Sequence, residues 1–183
     1  MKLSIILPTV GRNTLGRTIE SLVRQPLDPD DEVLVIGGPA STVEPMLPSS
    51  MTYLPSLPGR NWGCLERTIG LRYATGTHLA FIDDDDTWTP IARSAIRTAM
   101  IETPSVPVLF RMRYLDGREL WTKPVLKVGN VSTQMILIPN DPSRLGRWTR
   151  RREGDYDFLA SMRWSPTDIV WRSEVIAEIG GRQ

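Results

Sequence analysis

The chain has very little of the residues that carry much familiar site chemistry. It holds one cysteine, Cys64, and one histidine, His78. A single cysteine excludes an internal disulfide and fits a reducing compartment; its simplest role is that of a small core residue. A single histidine excludes a histidine-rich zinc site and leaves His78 as the one candidate for a Ser-His-Asp triad. His78 opens an apolar strand pattern, which favours a structural role. No apolar run approaches the length of a membrane span. The sequence opens directly on a strand pattern, without signal-peptide architecture, so a cytoplasmic location is expected. Charge of one sign is lacking too. Lys and Arg number 22 against 21 Asp and Glu, a net charge of +1, so bulk nucleic-acid binding is not expected. Repeats, heptads and low-complexity stretches are absent. What remains is ordinary: 183 residues, 40% hydrophobic, enough for one domain with a sizeable core.

Against this background one stretch stands out, His78-Leu79-Ala80-Phe81-Ile82-Asp83-Asp84-Asp85-Asp86. A short apolar strand runs into four consecutive carboxylates. Two like charges about 4 Å apart cost roughly 4 kcal/mol at an effective dielectric of 20. A divalent ion relieves such repulsion, and oxygen ligands suit Mg²⁺ or Mn²⁺. Alternation along an extended segment would turn Asp83 and Asp85 one way and Asp84 and Asp86 the other. Thr89 and Pro90 mark the start of a following helix. A solvated, helix-capping loop is the plainer interpretation. The position decides against it: open α/β sheets bind ligands at the carboxyl ends of their strands.

The rest of the chain supports such a sheet. Leu3 to Leu7 reads as a fully buried strand ended by Pro8. Leu15, Ile19, Leu22 and Val23 mark a helix face, and Glu32 to Ile36 a second strand ended by Gly37 and Gly38. Met51 to Leu54 suits an edge strand. A helix with Trp62, Leu65, Ile69 and Tyr73 on one face leads to Gly76 and the acid-tipped strand. Strand–helix–strand repetition of this kind builds a parallel, Rossmann-like half. Beyond the acids the pattern is mixed. Ile91 to Met100 is helical, Val106 to Met112 and Thr133 to Ile138 are strands, and Asp116-Gly117 turns a hairpin. Asp155 to Met162 is helical after a loop carrying Arg150, Arg151 and Arg152. Ile169 to Trp171 is a short strand, and Ser173 is expected to cap a last helix with Val175, Ile176 and Ile179.

Four motifs in order resemble glycosyltransferase family 2, the inverting nucleotide-sugar enzymes with a GT-A fold. Leu3 to Arg12 is similar to the family's first strand and nucleotide-contacting loop. Arg67-Thr68-Ile69-Gly70 with Ala74-Thr75-Gly76 is similar to its Ala-Arg-Asn-x-Gly helix and glycine stop. Phe81 to Pro90 is similar to its Asp-x-Asp segment, and Gly154-Asp155-Tyr156-Asp157-Phe158 to its Glu-Asp acceptor motif. The resemblance covers roughly residues 1 to 165. It implies a single GT-A-like α/β domain with a mixed, mostly parallel sheet flanked by helices. Residues 1–100 would bind the nucleotide sugar and residues 101–183 the acceptor.

The resemblance also implies roles. Asp85 would ligate Mn²⁺ or Mg²⁺ bridging the donor diphosphate, and Asp84, with Asp83 as rival, would bind the ribose. Pro8, Thr9, Val10 and Arg12 would line the base and ribose pocket. Gly37 stands where the family carries a base-reading aspartate. Arg67 and Arg60 would lie near the nucleotide, with plain ion pairing as the alternative. Asp155 would be the general base, with Asp157 as the rival carboxylate and helix capping as the alternative. The implied donor is a nucleotide-diphospho-sugar, a UDP-sugar first; the hydroxyl acceptor and oligomeric state stay open. Departures are Gly37-Gly38, Thr68 for the motif's Asn, Gly154 for its acid, and no late metal-binding histidine. They keep a non-catalytic nucleotide-sugar-binding module as a competing interpretation. A sugar-phosphate nucleotidyltransferase ranks below it, because Pro8 to Arg12 carries one glycine and no lysine.

Overall fold

A computed structural model describes residues 1–25, 28–57 and 62–180; Arg60 lies outside them. The chain opens with a parallel array. Strands β1 (Leu3–Pro8), β2 (Glu32–Ile36), β3 (Met51–Leu54) and β4 (His78–Phe81) are connected through helices α1 (Leu15–Val23), α2 (Ala40–Val43) and α3 (Cys64–Tyr73). After the acids come β5 (Thr87–Trp88), α4 (Ala92–Glu102), β6 (Val108–Arg113), β7 (Glu119–Leu120), β8 (Ile136–Pro139), α5 (Gly154–Ala160) and β9 (Val170–Glu178). All nine strands join one sheet in the order β3-β2-β1-β4-β8-β6-β9-β5, with β7 on β6. The later half adds antiparallel pairs at β4–β8, β6–β8, β6–β7 and β5–β9. The sheet is therefore mixed, as expected, and its longest ladders are the parallel ones.

The sheet is covered on both faces. Leu3, Ile5 and Leu7 pack with Leu15, Ile19 and Leu22 of α1 and Ala92, Ile96 and Ala99 of α4. Ile6, Leu79 and Phe81 pack on the other side with Phe158 and Leu159 of α5 and Ile69 of α3. Burial on both faces explains why β1 is continuously apolar rather than alternating. A Cβ on Gly70 of α3 would come within 2.6 Å of Ile6, so helix and strand touch there without a spacer.

Three local expectations are corrected. The segment after Ser173 is not a helix; it belongs to β9, parallel to β6. Val170, Trp171, Val175 and Ile176 are strand-favouring residues, and the β6 edge gives their backbone a partner. Register shifts around Arg111 let the polar Arg172-Ser173-Glu174 stretch pass. On α1, Val23 is exposed and Thr18 is buried in its place. Trp62, just before α3, and Tyr73 are exposed while Glu66, Arg67 and Gly70 are buried; of the apolar residues marked there Ile69 packs on the core, and the rest of the buried face is charged because the site takes it up.

His78 is structural, as its place suggested. It is buried, with Nε2 3.1 Å from the Pro104 carbonyl and Nδ1 3.1 Å from Thr77 Oγ1. Burial pushes its pKa below the ordinary 6.5, with the Pro104 bond opposing. Below about pH 6.5 the unfolded chain takes up a proton the folded one resists, so stability falls as pH drops toward the folded value. Urea titrations from about pH 7.5 to about 5 should therefore show a steeper loss in the wild type than in His78→Gln. Equal slopes would show that burial does not shift this group.

Candidate active site

Four carboxylates follow β4, and each is anchored. Asp83 bonds Arg67 Nη2 and, at 3.3 Å, Gln134 Nε2. Asp84 accepts from Thr9 Oγ1 at 2.8 Å, Val10 N at 3.1 Å and Arg12 Nη1 at 3.0 Å. Asp85 takes Arg12 Nη1 at 2.7 Å. Asp86 takes Gln134 Nε2 and, at 3.0 Å, the Gly180 amide. Asp83 thus shares Gln134 with Asp86, and Asp84 shares Arg12 with Asp85. The expected alternation is corrected because β4 ends at Phe81 and the acids turn rather than extend. Helix α1 holds the turn's backbone: Thr18 Oγ1 donates to the Asp86 carbonyl at 2.7 Å and Arg17 Nη2 to the Asp85 carbonyl at 2.9 Å. Thr89 does not cap α4; its hydroxyl donates to the Val175 carbonyl.

The acids open on a cavity of about 380 Å³, a size that suits a small-molecule ligand. Asp83, Asp85 and Asp86 line it together with Arg67 and Gln134. Ser132, Asp155, Trp148 and Thr149 line it too, and Arg151, Arg152, Tyr114 and Trp62 also border it. Asp155 sits in the first turn of α5 but makes no cap bond. Instead it accepts from Thr133 Oγ1 at 2.5 Å and Ser132 Oγ at 3.2 Å. Ser132 also donates to Gln134 Oε1 at 2.7 Å. One polar turn, Ser132-Thr133-Gln134, therefore touches Asp155 at one end and Asp83 and Asp86 at the other. Because β8 runs antiparallel to β4, this turn at the start of β8 is carried to the carboxyl end of β4.

Electrostatics separates the acids. Burial pushes Asp155 above the usual carboxylate range, against the pull of Arg67. Asp157 turns away to Thr149 and Arg151 and is held low by those bonds. Burial also raises Asp85, opposed by Arg12 and reinforced by Asp83 and Asp84. Asp86 is pushed up to about 8 by burial and by Asp83 and Asp85. Arg67 is buried under Trp148, its guanidinium 5.0 Å from the ring centroid, and Trp148 stacks on Phe158 at 4.2 Å.

Of the residues expected from sequence, Arg67, Asp83, Asp85 and Asp155 meet on the cavity. Thr9, Val10, Arg12 and Asp84 lie beside it as the lashing between the β1 loop and the acid turn. Pro8 ends β1. Gly37 is a packing position: at φ +99°, its Cβ would lie 2.5 Å from the Thr9 carbonyl, so no aspartate fits there. Gln134, Ser132 and Thr133 went unrecognised, although three polar residues before an apolar strand are a legible signal. Cys64 is a free thiol bordering the cavity, its Sγ 3.4 Å from the Trp148 carbonyl.

Among the described residues no three His, Cys, Asp or Glu side chains are grouped as a metal cage. Asp85, with hard oxygens, neighbouring negative charge and a cavity beside it, still fits Mg²⁺ or Mn²⁺, which bind through one or two carboxylates when phosphates and water supply the rest. No helix among the described residues is long and apolar enough to cross a membrane.

Comparison with known proteins agrees with this fold. The sequence matches the family described as Glycosyl transferase family 2 over residues 4–158. No curated protein matches it in sequence. Among solved structures, S. aureus TarS 1–349 in complex with UDP-GlcNAc superposes with a TM-score of 0.77 at 15% identity, covering 100% of this chain and 59% of that one. The complex of TarS 1–349 with UDP gives 0.74 at 17% identity, covering 99% and 61%. A longer S. aureus TarS structure gives 0.74 at 15% identity, covering 99% and 37%. The chain thus spans about three-fifths of the shorter TarS form and well under half of the longer. The likeness establishes a GT-A-like fold.

The Arg67–Asp83 pair gives a stability test. Removing one member of a buried ion pair costs about 3–5 kcal/mol. Asp83 keeps 28% of its side chain exposed, so Arg67→Met should lose about 3 kcal/mol, the low end of that range. Urea unfolding reads this; a loss under about 0.5 kcal/mol, the scale of an ordinary surface change, would mean that water neutralises Asp83.

Proposed function

The chain belongs to glycosyl transferase family 2, and from that premise we propose that it moves a sugar from a nucleoside-diphosphate sugar to an acceptor hydroxyl with inversion at the anomeric carbon. The observation that carries the proposal is the meeting of Asp155 with Asp83, Asp85 and Asp86 on one cavity, from distant parts of the chain. TarS was solved with UDP-GlcNAc and with UDP, which supports a UDP-sugar as the first donor to try.

In this proposal Asp155 accepts the acceptor's proton as its oxygen attacks. Its raised pKa suits the role, since a base works best with a pKa nearer the operating pH. Thr133 and Ser132 fix the orientation of its carboxylate. Arg67, bonded to Asp83 on the same cavity as Asp155, offsets charge on the diphosphate as the anomeric bond breaks. Asp85 would hold a divalent ion, and that ion, when bound, would supply Lewis-acid stabilisation of the diphosphate. The β1 loop, braced by Asp84, borders the nucleoside side.

Two substitutions separate these roles. Asp155→Asn should lower turnover of a UDP-sugar, read as UDP release, by about 10²–10⁴-fold, while UDP affinity stays within about twofold. Unchanged turnover would remove Asp155 from the chemistry. Asp85→Asn should weaken Mn²⁺ binding in the presence of UDP by about tenfold or more, since even outer-shell changes cost about 10–100-fold. Free Mn²⁺ counted by paramagnetic resonance reads this directly; equal ion binding would move the ligand role elsewhere.

A further inference from the structure

We propose that the acceptor carries phosphate, and that the loop before α5 is its docking rim. The proposal rests on the transferase reading above and deepens it by naming the chemistry of the second substrate. Residues 144–163 hold Arg144, Arg147, Arg150, Arg151, Arg152 and Arg163 against Glu153, Asp155 and Asp157, in a chain whose net charge is only +1. Exposed arginines elsewhere are mostly compensated: Arg24 by Glu20, Arg113 by Glu119 and Glu178, Arg118 by Asp116. At the rim, Asp157 pairs with Arg151 and with no other arginine, and Arg144 lies over the Trp164 ring. Arg147, Arg150 and Arg152 are exposed, and their guanidiniums have no ion-pair or hydrogen-bond partner among the described residues.

Their placement gives this surplus a direction. Arg151 and Arg152 border the cavity. Arg150 lies between Thr149 and Arg151, both of which line the cavity. The donor side has its own cations, Arg12 and Arg67, already seated on the acid turn. Arg147, Arg150, Arg151 and Arg152 instead lie on the loop that leads into α5, within eight residues of Asp155. A phosphate held there is repelled by the acid turn, so it stays at the mouth while a neighbouring hydroxyl reaches Asp155. The guanidinium fork matches phosphate oxygens two at a time.

The test uses the full chain and a short fluorescently labelled inorganic polyphosphate at low salt, with an uncharged labelled dextran as control. Wild type should bind polyphosphate and not dextran, with affinity falling steeply as salt rises. Arg147→Ala, Arg150→Ala and Arg152→Ala together should weaken polyphosphate binding by about tenfold or more, and UDP affinity should stay within about twofold. Removing the same charge at Arg72, Lys123 and Lys127 should change neither. The proposal is overturned by undiminished polyphosphate binding in the rim variant or by an equal loss in the control variant. A parallel loss of UDP affinity also overturns it, because it would assign the arginines to the donor. Arg152→Glu alone provides a second reading, with the same direction expected, should the triple variant fold poorly. If wild type binds polyphosphate but no UDP, the donor assignment fails and the rim stands.

Discussion

Like charges packed at a strand end must be neutralised, and that requirement shapes this molecule. Asp83 to Asp86 cannot be left to water, because Asp84 and Asp86 are buried. Compensation arrives from every quarter: Arg12 and the Val10 amide after β1, Arg67 from α3, Gln134 before β8 and the Gly180 amide after β9. These anchors lie 74 residues before the acids and 94 after them at the extremes. The contacts that neutralise the turn are therefore the same contacts that bring the two ends of the chain to one place.

The compensation is incomplete in a useful way. Arg67 and Arg12 cover Asp83 and Asp84, while Asp85 and Asp86 remain above the usual carboxylate range through burial and mutual repulsion. A turn built only for stability would replace an acid by a neutral residue, because buried ion pairs contribute little to stability. Holding negative charge beside a cavity is a cost that a ligand of opposite sign can offset. On our proposal that ligand is the divalent ion which accompanies the donor diphosphate.

Much of this was legible in the residues. The continuous apolar run of β1, the strand–helix alternation and the acids after Phe81 are local signals, and each was found where it was expected. The Asp116-Gly117 hairpin was legible for the same reason: Gly117 takes φ +82°, which its neighbours would resist. The misreadings share one cause, which is partners distant in sequence. Val175 and Ile176 allow either helix or strand, and only the free edge of β6 decides. The buried face of α3 is charged because Arg67 answers Asp83 and Glu66 takes the Ser56 hydroxyl, so apolar spacing pointed away from it. Gln134 carries no motif of its own; its importance comes from the antiparallel pairing of β8 with β4.

The most direct test is the thermal stability of the wild-type chain with UDP, with and without Mn²⁺. A ligand present at about 100 times its dissociation constant stabilises the folded state by about 2.7 kcal/mol. The account predicts a clear rise in melting temperature with UDP and Mn²⁺ together, and a much smaller one with UDP and chelator. An equal rise in chelator, or none with any nucleoside diphosphate, would contradict it.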